Sequence, residues 1–149
     1  MVDILSLAKY ITERFQTQYK RSMDEMKLHK LMYFIQRESF VITGEPMFSD
    51  RFEAWKYGPV MRCLRDQSRI ASARDLSQDE IKEYKNVLDY VFDSYAGKDS
   101  WTLSNISHGE SCWRKAKLRE TSLTPVEILT EDIREDALNI KFRRLLMQD

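Results

Sequence analysis

Four residues of this chain are histidines or cysteines, whose nitrogen and sulfur atoms are the soft ligands of metal ions and can also act in catalysis: His29, Cys63, His108 and Cys112. Their number would match a zinc site. Structural zinc sites usually take ligands from closely spaced pairs, but the sequence contains no C-x-x-C or H-x-x-x-H pair. We therefore expect no metal site, and we expect each of these residues to lie in the core or at its edge.

His108 and Cys112 are four residues apart, a spacing at which an imidazole could activate a thiol on one helix face. Such activation also needs a third group that orients the histidine, and the sequence shows neither that group nor an oxyanion hole. The four glycines are too dispersed for a phosphate-binding loop, and Asp79 and Glu80 stand at a predicted helix start, where carboxylates favour the helix dipole. We expect no catalytic residue, no cofactor and no enzymatic activity.

Two groups of basic residues could instead bind a partner. Arg62, Arg65 and Arg69 would share one face of a helix predicted over residues 60–70, and a second basic run occupies residues 114–119. Lysine plus arginine and aspartate plus glutamate number 24 each, so no overall field attracts nucleic acid. With no helix-turn-helix signal and no interleaved stacking aromatics, the sequence disfavours nucleic acid as the partner.

Large aromatic side chains lie outside the predicted helical stripes, at Trp55, Tyr57, Trp101 and Trp113. Packing in the core is the ordinary role of such residues, but tryptophan, tyrosine and arginine are also the residues that anchor protein interfaces. We expect a protein-binding surface, and the candidate residues for it are Trp55, Tyr57, Arg62, Arg65, Arg69, His108 and Trp113.

Hydrophobic periodicity predicts a mainly α protein, a single compact domain of six or seven helices with one short β-hairpin. Helices are expected over residues 2–18, 22–43, 60–70 and 81–95, with shorter ones from Ser100 and Trp113 and a last one from about Glu131. Three capping boxes are expected, at Ser22/Glu25, Ser77/Glu80 and Thr124/Glu127. In a capping box, the side chain at each end of a four-residue stretch accepts a hydrogen bond from the backbone N–H of the residue at the other end.

The hairpin is predicted in the stretch that begins GEPMFSDRFEAW, residues 44–55, with Met47 and Phe48 before the turn-prone pair Ser49 and Asp50 and an alternating strand from Phe52 to Tyr57 after it. Gly58 and Pro59 are expected to form a structural turn from strand into helix. Glycine accepts a positive φ, and proline suits the first turn of a helix because its missing N–H is not needed there.

The sequence carries no sign of export. The apolar residues of the N-terminal stretch are interrupted by Asp3, Lys9 and Glu13, unlike those of a signal peptide. The longest apolar run, residues 31–35, is far below the roughly 20 residues that span a bilayer. Two cysteines do not form the disulfide framework of a small secreted protein. We expect a cytoplasmic protein with no membrane partner.

Four segments resemble, in order and spacing, those of the Panacea domain, a family that includes SocA-like antitoxins and GepA-like phage-associated proteins. They are an L-x-K-L-x-Y helix, a G-x-P turn, an F-x-A-W-x-x-G-P-V segment and an L-x-x-x-[ST]-H-x-x-x-x-W segment. The matching residues are Leu28, Lys30, Leu31 and Tyr33; Gly44, Pro46 and Phe48; Phe52, Ala54, Trp55, Gly58, Pro59 and Val60; and Leu103, Ser107, His108 and Trp113.

The resemblance covers about residues 5–116 of a single domain, 1–149, whose helical C-terminal tail, 119–149, carries no such motif. The chain departs from the pattern at His29, where glutamine is usual, and at Cys112, where proline often precedes the tryptophan.

The resemblance implies a mostly helical domain that neutralises a co-encoded toxin by binding it, as the antitoxin of a type II toxin–antitoxin system. The expected partner is a protein toxin encoded by the adjacent gene. One alternative is a prophage-borne adaptor that binds a host protein or presents a toxin to a protease. A lesser alternative is a nucleic-acid-binding protein that uses the arginine face.

Overall fold

The computed structural model describes residues 1–120 and 125–147. Eight α-helices and one two-stranded hairpin are present in these residues, which confirms the predicted mainly α architecture. In chain order the elements are α1 (Ile4–Tyr19), α2 (Glu25–Thr43), β1 (Glu53–Trp55), β2 (Gly58–Val60), a 3-10 helix (Arg62–Arg65), α3 (Gln67–Ala71), α4 (Gln78–Glu83), α5 (Lys85–Val91) with a π-helical turn (Phe92–Ala96), α6 (Ser100–His108), α7 (Ser111–Leu118) and α8 (Thr130–Leu146).

The second helix, α2, forms the centre of the molecule. Every residue from Lys27 to Val41 is buried, because α1, α5, α6 and α8 all pack against it. The apolar residues that cover most of its circumference account for this placement. Among the described helices none could span a bilayer, since even α2, the longest, interrupts its apolar residues with charged ones.

The ends of α2 agree with the prediction only in part. Gly44 ends the helix in the left-handed conformation with φ 78°, as expected of a C-terminal glycine. The capping box predicted at Ser22 and Glu25 is wrong. Asp24 is the N-cap instead, because its carboxylate accepts the Lys27 N–H at 2.8 Å and so satisfies one of the free amides of the first turn.

The capping box at the start of α4 is confirmed. The Ser77 hydroxyl accepts the Glu80 N–H at 3.1 Å, and the Glu80 carboxylate accepts the Ser77 N–H at 3.0 Å. These reciprocal bonds set the helix start at Gln78.

The hairpin lies later in the sequence than the turn residues suggested. β1 and β2 are antiparallel, with Ala54 opposite Pro59 and Trp55 opposite Gly58, so the turn falls at Lys56 and Tyr57. The prediction that Gly58 and Pro59 open a helix is therefore wrong. Both residues belong to β2, where Gly58 has a φ of 119°.

The helix predicted over residues 60–70 is also wrong. A 3-10 helix at Arg62–Arg65 is followed by a separate α3, Gln67–Ala71. The break occurs at Asp66, whose backbone is extended. The Asp66 carboxylate caps the new helix by accepting hydrogen bonds from the N–H groups of Ser68 and Arg69.

A further extended segment lies beside β1. The Ala54 N–H donates to the Val126 carbonyl at 2.8 Å, and the Ile128 N–H donates to the Phe52 carbonyl at 2.7 Å. Of the capping box predicted there, Thr124 lies outside the described residues, and Glu127 pairs with Glu53 instead of starting a helix. The last helix, α8, starts at Thr130, close to the predicted start at Glu131.

The C-terminal helix α8 packs along α2. Ile133 and Ala137 are buried on its inner face, and Arg144 donates two hydrogen bonds, of 2.8 and 2.9 Å, to the carboxylate of Glu38. Glu38 is fully buried, and Arg144 joins Arg37, which donates to the same carboxylate at 3.1 Å, in compensating this buried charge.

Candidate functional site

A groove of about 370 Å³ opens between α2 and the hairpin. Its walls are largely apolar, and the polar groups that it contains are mostly cationic or neutral. It is lined by Glu25, Met26, His29, Lys30, Trp55, Lys56, Tyr57, Val60 and Arg65. A concave surface of this composition is the usual setting for recognition of a ligand or of a partner's side chains.

Trp55 forms one wall and is held between two arginines. The guanidinium carbons of Arg62 and Arg65 lie 5.5 and 5.3 Å from its ring centroid, within the range of cation–π attraction. The indole N–H donates to the Glu53 carboxylate at 3.1 Å. Trp55 is half-buried, so it is neither a pure core residue nor a freely exposed one.

Tyr57 and Trp101 form an exposed aromatic pair at the rim. Their ring centroids are 5.3 Å apart and nearly perpendicular, at 88°, the edge-to-face arrangement that aromatic quadrupoles favour. Tyr57 is 42% exposed and Trp101 61% exposed. The two rings hold each other in place and expose apolar surface. Because these side chains are already ordered, a partner that binds them loses little additional conformational entropy.

Lys30 lies at the floor of the groove and is 1% exposed. A side chain added at Gly58 would place its Cβ 3.0 Å from the Lys30 Nζ and 2.7 Å from the Ser107 Oγ. Gly58 therefore permits both the positive φ of the hairpin and the close approach of the lysine. Lys30, Gly58 and Ser107 come from three different segments of the family-like pattern, and they meet at this point.

His29 contributes to the same floor as a neutral imidazole. The Met61 N–H donates to Nδ1 at 3.2 Å, which leaves the proton on Nε2, 3.2 Å from the Glu25 carboxylate. Burial lowers the pKa of His29 and outweighs the opposing effect of Glu25. Arg65 also donates to Glu25, at 3.1 Å, so the one carboxylate among the described residues that line the groove is already engaged.

His108 and Trp113 support the hairpin from behind and do not line the groove. Their rings stack with centroids 4.3 Å apart, and the Trp113 indole N–H donates to the Trp55 carbonyl at 2.9 Å. The pKa of His108 is lowered, first by burial and then by the charge of Lys30. These two predicted site residues therefore position Trp55.

Cys112 is fully buried, and its sulfur lies 3.1 Å from the Tyr33 hydroxyl. Burial raises the pKa of its thiol well above the usual range, which disfavours the thiolate that a nucleophile requires. Cys63 is half-buried, and burial also raises the pKa of its thiol. Within residues 1–120 and 125–147, no three histidine, cysteine or acidic residues are grouped closely enough to hold a metal ion.

The structure brings together only part of the predicted arginine face. Arg62 and Arg65 reach the groove wall through Trp55, whereas Arg69 is exposed on α3 and does not line the groove. In the second basic run, Lys115 pairs with Glu135, Lys117 with Glu120 and Arg119 with Asp132.

Sequence reasoning missed Lys30, Met26 and Trp101 as parts of this site. A signal for Lys30 existed, because it stands in a helix that is apolar on most of its circumference, where a charged residue has little access to water. Trp101 carried no signal beyond its size, since its contact with Tyr57 depends on how α6 packs beside the hairpin.

Comparison with known families identifies one match. The model of the family described as "Antitoxin SocA-like, Panacea domain" matches residues 28–114, more than half of the chain. These residues include α2, the hairpin, α6 and the tryptophan of α7 that holds the hairpin. No curated protein and no solved structure matches the chain. The chain belongs to the SocA-like antitoxin family that is defined by the Panacea domain.

Proposed function

We propose that this protein is the antitoxin of a type II toxin–antitoxin system and neutralises a toxin encoded by the adjacent gene by binding it directly. Membership of the SocA-like family supports an antitoxin role. The observation that carries the binding mode is the exposed pair of Tyr57 and Trp101 at the rim of the groove, next to Trp55. Rigid aromatic residues beside arginines are the commonest anchors of protein interfaces.

The charge distribution favours a protein partner over nucleic acid. Arg62 pairs with Glu53 at 2.5 Å and Arg65 pairs with Glu25 at 3.1 Å. Binding to a phosphate backbone draws on lysine and arginine that can release counterions. Arginines that are already paired with carboxylates on the same chain contribute less of that attraction.

Expression of the adjacent reading frame in a host cell, with and without this protein, tests the proposal. The neighbour alone is expected to arrest growth, and co-expression of this protein is expected to restore it. The double variant Tyr57→Ala, Trp101→Ala should restore growth poorly, whereas Phe142→Ala, an exposed aromatic residue on α8 outside the groove, should restore it fully. A harmless neighbour, or arrest that persists with this protein present, would overturn the proposal.

A further inference from the structure

Lys30 differs from the other buried cations of α2. Lys27 donates from its ammonium to the Ala96 carbonyl at 3.0 Å, and Arg37 contacts the carboxylates of Glu38 and Glu110. Lys30 is at least as buried as these residues, yet within the described residues its ammonium has no hydrogen bond and no ion pair. Burial alone lowers its pKa, to about 8, and no nearby carboxylate opposes that effect.

A lysine side chain that is 1% exposed loses most of its hydration, which is costly when its ammonium gains no partner in exchange. The end of this side chain lies close to Gly58, since a Cβ added there would be 3.0 Å from the Lys30 Nζ and 2.7 Å from the Ser107 hydroxyl. Ser107 itself donates its hydroxyl proton to the Ser104 carbonyl at 2.9 Å. The ammonium is thus fixed in position at the groove floor with its hydrogen-bonding capacity unused, which points to a missing acceptor.

The surroundings define the charge of that acceptor. His29 is held neutral, and Glu25 is engaged by His29 and Arg65. Lys56 adds a further cation at the rim. The groove therefore carries an excess of positive charge at Lys30, and an anion complements it.

The walls define the rest of the occupant. Trp55, Tyr57, Met26 and Val60 give the groove a mostly apolar lining, which suits a segment that buries apolar side chains around a single charge. Chain-terminal carboxylates are typically captured by clusters of free backbone N–H groups. The floor here is the middle of α2, whose N–H groups are bonded within the helix, so a side-chain carboxylate is the better match.

We propose that Lys30 is the anchor of a carboxylate-binding site in this groove, and that its occupant is an aspartate or glutamate side chain, flanked by apolar residues, on the protein partner. The partner's identity as a toxin rests on the proposed function, whereas the carboxylate preference of the groove does not. Binding of this carboxylate gives the Lys30 ammonium the acceptor that residues 1–120 and 125–147 do not supply.

A small probe tests the site without the partner. 4-Phenylbutanoate carries one carboxylate on an apolar group, and 4-phenylbutanamide is its neutral counterpart. In NMR titrations of the ¹⁵N-labelled protein, the acid is expected to shift the Tyr57 amide and Trp101 indole signals and to bind in the millimolar range, as a fragment of this size does. The amide should bind several-fold more weakly, and Lys30→Met should remove the difference.

Lys27→Met is the matched control, since it removes a buried lysine one turn away on α2 that already has a partner. It should leave binding of the acid unchanged. Equal binding of acid and amide to the natural protein, or no binding of the acid, would overturn the proposal. So would stronger binding of phenyl phosphate than of the carboxylate, or self-association of the protein that Lys30→Met abolishes, because each would assign the groove to a different occupant.

Calorimetry with the product of the adjacent reading frame separates the two proposals. Loss of a charged hydrogen bond predicts that Lys30→Met weakens this complex by about 10- to 100-fold, with no loss on Lys27→Met. Equal affinity of the natural protein and Lys30→Met would overturn the carboxylate anchor and leave the antitoxin proposal standing. Absence of any complex would contradict the antitoxin proposal, while the probe titration would still decide the nature of the groove.

Discussion

At the scale of single residues, Lys30 reduces the stability of the fold in which it lies. Its side chain is buried and its ammonium has no partner among the residues that the structure describes, and burial lowers its pKa from 10.5 to about 8. A lysine whose pKa is lower in the folded state is penalised wherever it must be charged, which includes neutral pH. Natural proteins commonly carry such costs at binding sites.

We predict that Lys30→Met stabilises the protein at pH 7 by about 3 kcal/mol, the equivalent of the lowered pKa. The unfolded chain holds the Lys30 proton up to its ordinary pKa, whereas the folded chain releases it near pH 8, so the natural protein gains stability between those values. The advantage of the variant should therefore shrink from pH 8 to about 10.5. Urea denaturation of both proteins at pH 7 and at pH 10 measures this difference in the free energy of unfolding.

Lys27→Met serves as the control for this comparison, because Lys27 lies on the same helix and donates to the Ala96 carbonyl. Its replacement should destabilise the protein, since it leaves a carbonyl without its donor. If both variants changed stability by the same amount at pH 7, Lys30 would not carry an uncompensated charge.

Gly58 supports a second prediction at this scale. Gly58→Ala should destabilise the protein by about 2–4 kcal/mol, because alanine is strained at a φ of 119° and its Cβ would lie 2.7 Å from the Ser107 Oγ. Gly44→Ala is the matched control, with a positive φ but no atom within 4 Å of the added Cβ. It should cost only about 1–2 kcal/mol. Thermal or urea denaturation compares the two, and equal losses would contradict the close packing at Gly58.

The candidate residues show what the sequence could and could not supply. Trp55, Tyr57 and Arg65 were predicted from residue type, since aromatic and arginine side chains serve interfaces wherever they are half-exposed. Lys30 was not predicted as a site residue, because a lysine side chain on a helix normally extends into water. Its burial is decided by the hairpin and α6, which approach α2 from distant parts of the sequence.

At the scale of elements, α8 lies beyond the residues that match the family model, yet it packs on the central helix. Ile133 is 2% exposed, and Asp136 accepts the Cys112 N–H at 2.7 Å. The helix thus closes one side of the core and shields the buried carboxylate of Glu38 through Arg144. We infer that the stable domain requires α8.

We predict that Ile133→Ala lowers the free energy of unfolding by about 2–4 kcal/mol, the usual cost of a cavity in a packed core. Leu138→Ala on the same helix should change it by less than about 0.5 kcal/mol, because Leu138 is 54% exposed. Chemical denaturation measures both. A small effect of Ile133→Ala would show that α8 is a detachable tail in solution.

The elements also show where periodicity succeeds. α1 and α2 were predicted because each carries a long apolar stripe, and α2 also ends at a glycine. The structure of region 58–71 was not predicted correctly, since the positions of its apolar residues and arginines also fit one continuous helix. Strand pairing with residues 53–55 and the capping carboxylate of Asp66 override that pattern, and the first of these depends on contacts made outside the segment.

At the scale of the whole molecule, opposite charges are balanced in number, and the arginines nearest the groove have acidic partners. The chain has 24 basic and 24 acidic residues, and the arginines beside Trp55 are paired with Glu53 and Glu25. Such a molecule has little long-range attraction for a polyanion.

We therefore predict no measurable binding to a fluorescently labelled DNA duplex at low ionic strength, where electrostatic attraction is strongest. Fluorescence anisotropy at several salt concentrations makes the measurement. Tight binding that weakens steeply as salt increases would restore the nucleic-acid alternative, since that dependence is the signature of counterion release from phosphates.

The account rests on direct docking through the hairpin groove, and isothermal titration calorimetry with the purified product of the adjacent reading frame tests this most directly. The natural protein is expected to form a stoichiometric complex. The double variant Tyr57→Ala, Trp101→Ala should bind about 30-fold or more weakly, as loss of interface anchors does, while its thermal midpoint stays unchanged. No complex with the natural protein, or equal affinity of the double variant, would contradict the account.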